Sequence, residues 1–329
     1  MNKITSKYAF TKGLHDIGNG CYAYLQPTGS WGWSNAGLIV DSGQSMLVDT
    51  LFDLKLTREM LEAMRRAEPK ATARIGTLVN THSNGDHCFG NELVTGAEII
   101  ASKACAEELQ HDGGATRLAE MQRNTSQMGD VGKFFAQIFS QFDFQGINVT
   151  MPTRTFEGEL ECRVGDKMVR LIQVGPAHTR GDVIAYVPKD RTVFTGDILF
   201  INGHPIIWAG PVRNWINACQ LMLDLDIETV VPGHGPITDK TGVAAVKGYL
   251  EYIAAEARKR YDAGMSLAEA AADISLDSYS SWSDSERIAV NVGTLYREFA
   301  AEKGEGAARP AGEGELFALM AQMANRKPK

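Results

Sequence analysis

Residues 82–87 read His-Ser-Asn-Gly-Asp-His and constrain this chain more than any other stretch. Two imidazoles (His82, His87), a carboxylate (Asp86) and an amide (Asn84) stand directly behind the apolar run Ile75 to Val79. Such a run reads as a buried strand that empties into a loop, which places the cluster on rigid support. The pattern recurs: His178 follows Leu171 to Val174, Asp197 follows Val193-Phe194, and His234 follows Val230-Val231. Imidazole and carboxylate suit zinc and its chemical neighbours. Cysteines are few near these strand ends, which favours an open catalytic site over a closed thiolate site.

With 329 residues, 44% of them hydrophobic, the chain is long enough for one large domain plus an appended segment. A net charge of −7 and the lack of a densely basic stretch argue against a nucleic-acid partner. Met1 to Lys12 is polar and mixed, and no run of about 18 apolar residues occurs, so a cytoplasmic protein without membrane association is expected. Five cysteines (Cys21, Cys88, Cys105, Cys162, Cys219) lack Cys-x-x-Cys spacing, and their odd number argues for reduced thiols. Cys88, although it adjoins the cluster, reads as a small buried side chain. Of the other histidines, His15, His204 and His111 remain unassigned; His111-Asp112 is a second candidate metal pair at a dimer interface, with an ordinary exposed pair as the simpler reading.

Strands are expected at Cys21 to Leu25, Ala36 to Asp41, Met46 to Asp49, Ile75 to Asn80 and Glu98 to Ala101, with a helix from about Leu54 to Ala67 and a hairpin turn at Gly43-Gln44. Residues 103–145 lose β-character and read as helices inserted over the core, a lid or homodimer element. Strands resume at Thr155 to Glu157, Met168 to Val174, Val183 to Val187, Thr192 to Thr195 and Thr229 to Val231. Two similar halves predict two stacked mixed β-sheets in an α/β protein. Residues 241–329 read as a helical C-terminal extension, with helices at Val243 to Ala263, Ser266 to Ile274, Ser283 to Lys303 and Glu315 to Asn325, packed on the core or a partner subunit.

Thr81 to His87, Gly175-Pro176-Ala177-His178-Thr179-Arg180-Gly181-Asp182, Phe194-Thr195-Gly196-Asp197 and Pro232-Gly233-His234-Gly235 together resemble the successive signatures of the metallo-β-lactamase superfamily, in order and in spacing. The resemblance covers about residues 15–240. It implies an αββα sandwich with a metal centre on one edge. Carried over by position, it implies a first metal site of His82, residue 84 and His178, a second of Asp86, His87 and His234, and Asp197 as a bridge. This chain departs from the family at Asn84, where a histidine is usual. An amide oxygen is a weaker zinc ligand than an imidazole. One tightly bound zinc is therefore expected, with the Asn84 site weak or empty.

Zinc lowers the pKa of bound water to about 7 and polarises an electrophile, so the expected activity is hydrolysis by a metal-bound hydroxide on a small, largely uncharged substrate. Asp86 or Asp197 is a candidate to accept a proton or orient the nucleophile, and His82 and His178, where not needed as ligands, are candidate acid, base or oxyanion groups. Arg180 and Asp182 are candidates to orient His178. Trp33, His204 and Trp208 are candidate walls of an aromatic-friendly substrate pocket. Alternatives are a hydrolytic dehalogenase of an activated haloaromatic, resembling the chlorothalonil type, and a lactonase, thioesterase or β-lactamase-like activity. From another class comes an iron-dependent oxidoreductase of the same fold.

Overall fold

In the computed structural model, which describes residues 3–111, 114–304 and 311–325, the apolar strands divide their side chains between two cores by simple alternation. The first half forms a seven-stranded sheet in chain order: β1 (Gly13–Gly18), β2 (Cys21–Leu25), β3 (Ala36–Asp41), β4 (Gln44–Val48), β5 (Thr77–Val79), β6 (Glu98–Ser102) and β7 (Arg154–Phe156). β1 to β4 pair antiparallel and β4 to β7 parallel, a mixed sheet. The second sheet runs β12-β11-β10-β9-β8, from β8 (Glu159–Val164), β9 (Lys167–Gln173), β10 (Val183–Val187), β11 (Thr192–Phe194) and β12 (Thr229–Val231), with a parallel β11–β12 pair.

Ile39, Met46, Val48, Val79 and Ile100 of the first sheet join Val169, Leu171, Val183, Ala185, Phe194 and Val231 of the second in one buried cluster, the seam of the sandwich. Their neighbours Leu38, Leu47, Leu78, Ile99, Ile184, Tyr186, Val193 and Val230 belong to a larger cluster that takes in the helices. Helix α1 (Leu54–Ala67) is capped by Asp53, which accepts from Leu56 N at 2.7 Å. A short helix α2 (Gly85–Cys88) carries Asp86 and His87. The insertion forms α3 (Lys103–His111), α4 (Gly114–Asn124) and α5 (Gly129–Phe139). α6 (Val212–Asp224) precedes β12, and α7 (Lys240–Asp262), α8 (Leu267–Asp273), α9 (Ile288–Glu302) and α10 (Glu313–Ala324) make the extension. α7 packs on α6 and α9, while α10 packs on α9 and α5. Insertion and extension therefore meet, with Phe134 and Phe135 against Phe317. Among the described residues no helix is long and apolar enough to cross a membrane.

The expected αββα sandwich of two mixed β-sheets, with helices inserted and appended, is the observed fold. Two strands were not foreseen, β1 and β8. Each is an edge strand with a half-exposed, polar face, so neither presents an apolar run. The hairpin turn sits at Ser42-Gly43, one residue before the expected place: Asp41 pairs with Gln44, and the two turn residues have φ of 50° and 75°. Two positive φ angles in a two-residue loop are what the twist of antiparallel strands demands.

Candidate metal centre

β4, β5, β9, β11 and β12 deliver their carboxyl ends to one edge of the sandwich, and the candidate ligands stand on the turns that follow. His82, His87, His178 and His234 are all at most 3% exposed, and Asp86 and Asp197 are nearly as buried. Each imidazole is fixed through its Nδ1. His87 Nδ1 donates to Asp49 Oδ2 at 2.9 Å, and His178 Nδ1 donates to the Ile206 carbonyl at 2.7 Å. His234 Nδ1 donates to the Gly29 carbonyl at 3.2 Å. His82 Nδ1 lies 3.0 Å from Thr81 Oγ1, whose own proton goes to Asp49 Oδ2, so the hydroxyl accepts from the ring. Every outward nitrogen thus carries a proton, and every Nε2 turns inward, its lone pair open to a cation once any proton it holds is displaced.

The inward nitrogens surround Asp197. Its Oδ2 is 3.4 Å from His178 Nε2, 3.4 Å from His234 Nε2 and 3.7 Å from His82 Nε2, and its Oδ1 is 3.0 Å from His87 Nε2. Asp86 Oδ2 lies 3.2 Å from His234 Nε2. Gly233 leaves the space that the Asp197 carboxylate fills, since a Cβ there would overlap Oδ1. Ligand atoms of His82, His87 and Asp197 lie within 4.8 Å of one another, as do those of Asp86, His87 and His234. His82 Nε2, His87 Nε2 and Asp197 Oδ1 are buried without a hydrogen-bond partner. Unpaired buried polar atoms are costly, about 1–3 kcal/mol each, and three that face one another fit a bound divalent cation.

Burial opposes charge throughout the site, and the outcome depends on neighbours. Asp197 stays well below the usual carboxylate range because His234, His87 and His82 outweigh its desolvation. Asp86 is lowered in the same way by His87 and His234. His87 is raised well above an ordinary imidazole, desolvation losing to Asp197, Asp86 and Asp49, and His234 is raised to about 9 by Asp197 and Asp86. Burial takes His82 well below the ordinary value and His178 down to about 4. The carboxylates are thus ionised, and a cation seated between them would displace protons from the imidazoles that face them.

All seven candidates, His82, Asn84, Asp86, His87, His178, Asp197 and His234, come together. Asn84 Oδ1 is 2.7 Å from His178 Nε2, so the amide faces the ring with which it was grouped. His87 belongs to both ligand clusters, more central than a strict first and second site would have it. Trp33 and Trp208 are half-buried beside the centre: Ser34 Oγ donates to the Asp86 carbonyl, and Trp208 N to the His178 carbonyl. His204 is a correction. It is wholly buried among Tyr249, Tyr279 and Trp282, in an aromatic cluster that no open pocket wall could supply. Asp182 accepts from Thr179 N and Oγ1 rather than from the His178 ring, and Arg180 is exposed beside Glu107. Cys88 donates to the Asn84 carbonyl at 3.2 Å. His111 is exposed with Nδ1 on the Glu107 carbonyl, and Asp112 lies outside the described residues.

Three supporting groups escaped the sequence reading. Asp49 closes the apolar strand Met46-Leu47-Val48 as the ligands close theirs, a signal that was there to read. Thr81 adjoins His82. Glu108 of α3 accepts from Ser83 Oγ at 2.9 Å and from Arg180 N at 3.2 Å, tying two ligand loops to the insertion. The Gly29 and Ile206 carbonyls leave no trace in side-chain chemistry.

Comparison with known proteins agrees with this geometry. The chain is 23% identical over 219 residues to a beta-lactamase-like protein 2 homolog of Caenorhabditis elegans, covering 67% of this chain and 61% of that one. It is 27% identical over 158 residues to a hydroxyacylglutathione hydrolase of Methylococcus capsulatus, covering 48% and 47% respectively. It thus spans less than two thirds of either relative. Among solved structures, the sec-alkylsulfatase Pisa1 from Pseudomonas sp. superposes with a TM-score of 0.66 at 16% identity, over 88% of this chain and 50% of that one. A metallo-beta-lactamase from Pontibacter korlensis gives 0.56 at 17% identity, over 73% and 99%. The sequence model of the metallo-beta-lactamase superfamily matches residues 29–234. That span opens at the glycine whose carbonyl holds His234, closes at His234 itself and encloses every residue of the centre, and the chain belongs to the metallo-beta-lactamase superfamily.

Proposed function

We propose that this protein is a zinc-dependent hydrolase of a small, largely uncharged substrate, with one tightly held ion and a weaker second position at Asn84. The observation that carries this reading is the common orientation of four imidazoles, each Nδ1 tied outward and each Nε2 turned toward Asp197 and Asp86. Asp86, His87, His234 and Asp197 would hold the tight ion; His82, His178 and Asn84 would hold the weak one. Zinc in such a site supplies Lewis acidity and a water acidified to about pKa 7. Asp86, ionised and 3.2 Å from His234 Nε2, is placed to accept a proton from the attacking water. His178, kept neutral by burial and with its Nδ1 proton on the Ile206 carbonyl, would offer the Nε2 lone pair beside Asn84 as a ligand of the weaker position. Asp197, set between the rings, holds the two halves in register.

The half-buried Trp33 and Trp208 suit an apolar substrate. Trp33 lies against Phe142 with ring centroids 4.8 Å apart and planes tilted by 50°, an aromatic wall that suits a flat aromatic group. That contact supports hydrolytic dehalogenation of an activated haloaromatic as a second reading. Metal analysis of the purified protein, with turnover of lactones, thioesters, β-lactams and haloaromatics by the zinc-loaded form, tests both. Hydrolysis of one class with stoichiometric zinc is expected. Stoichiometric iron with oxygen consumption would replace the hydrolase reading with an oxidoreductase.

A further inference from the structure

Five consecutive carbonyls, from His204 to Trp208, are each engaged by a side chain. The His204 carbonyl accepts from Arg287 Nη1 at 2.9 Å, that of Pro205 from Asn291 Nδ2 at 2.9 Å, and that of Ile207 from Thr294 Oγ1 at 2.7 Å. The Trp208 carbonyl accepts from Arg297 Nη2 at 3.3 Å. The middle one, that of Ile206, accepts from His178 Nδ1. Arg287, Asn291, Thr294 and Arg297 fall four, three and three residues apart, one face of α9 and the turn that leads into it. Asn291 grips both sides of Ile206, because its Oδ1 also accepts from Ile207 N at 2.8 Å. It is wholly buried, and an amide in that setting is tolerated only when paired.

We propose that Asn291 is a positioning residue for His178: by holding the peptides on either side of Ile206, it aims that carbonyl at His178 Nδ1 and so aims Nε2 into the metal centre. α9 lies beyond the span matched by the superfamily, so the extension supplies this chain's own brace for one ligand loop. The loop is held from the other side as well, since Trp208 N and Ala209 N both donate to the His178 carbonyl. The inference deepens the metal-centre reading and rests on His178 facing the metal, not on any particular substrate.

The test compares Asn291→Ala with wild type by nitrogen-edited imidazole NMR and by titration of metal-free protein with zinc and with cobalt, whose visible bands report ligand geometry. Neither readout needs turnover, so a failed hydrolase assignment and a failed positioning role give different results. The variant is expected to melt cooperatively, to lose the protected His178 Nδ1–H signal and to bind metal on the His178 side about tenfold more weakly, in line with outer partners of metal-bound histidines. In a His178→Ala background the same substitution should change metal affinity no further. An unchanged imidazole signal and cobalt spectrum, or an equal loss in the His178→Ala background, overturns the proposal in favour of a purely structural amide. Should Asn291→Ala fail to fold, Thr294→Val removes the adjacent brace at constant shape. A smaller shift of the same signal supports the proposal, and no shift overturns it.

Discussion

Asp49 Oδ2 lies 2.9 Å from His87 Nδ1, and the same carboxylate accepts from Thr81 N and Thr81 Oγ1 at 2.7 Å each. One buried acid thus sets the tautomer of His87 directly and that of His82 through a hydroxyl. Asp49→Ala should weaken metal binding by about 10- to 100-fold, the usual effect of losing such a partner. Competition with a graded series of chelators measures it, and wild-type retention would remove Asp49 from the site.

Asn84 offers only an amide oxygen, 2.7 Å from His178 Nε2. Asn84→His restores the ligand type usual in the superfamily and should raise bound zinc toward two per chain, read by elemental analysis after dialysis. Unchanged stoichiometry would separate residue 84 from the metal.

Lys167 Nζ and Asp190 Oδ2 meet at 2.6 Å, with side chains 5% and 4% exposed, at the end of the sandwich where β9 begins. Removing one member of such a pair leaves a buried charge alone, so Asp190→Ala should destabilise the protein by about 3–5 kcal/mol. Urea denaturation gives the figure. A loss no larger than that of an exposed pair, such as Lys12 with Glu59, contradicts the burial argument.

Burial raises the Asp182 carboxyl to about 8 despite hydrogen bonds from Thr179 N and Oγ1. Between the unfolded value near 4 and the folded value, the native state keeps a proton that the unfolded chain has released, so this group makes stability fall as pH rises through that window. Asp182→Asn should flatten the fall in denaturation midpoints over the same range; an identical slope in the variant would assign it to other groups.

The sandwich was legible because β3, β4 and β10 bury apolar residues in runs and β9 alternates them with polar ones, and the ligands were legible because each follows an apolar stretch. What stayed hidden lacked that signature. β1 and β8 have polar faces at sheet edges, and backbone carbonyls such as those of Gly29 and Ile206 are chemically the same at every residue. His204 misled because its sequence neighbours are apolar on both sides, which describes a buried ring as well as a pocket wall. Asn291 and Thr294 do carry a signal: polar side chains within a helix whose other buried positions are apolar.

Three of the four Nδ1 partners come from distant parts of the chain, Gly29 for His234, Asp49 for His87 and Ile206 for His178, while Thr81 adjoins its ring, His82. The oriented set of ligands therefore exists only where both sheets are in place. Residues 77–100 hold four of the seven candidates, His82, Asn84, Asp86 and His87, and of their two rings only that of His82 finds its Nδ1 partner within that stretch; His178, Asp197 and His234 arrive with the second sheet. An ion captured there would act as a latch on the finished sandwich, stabilising it in proportion to the logarithm of metal concentration over the dissociation constant.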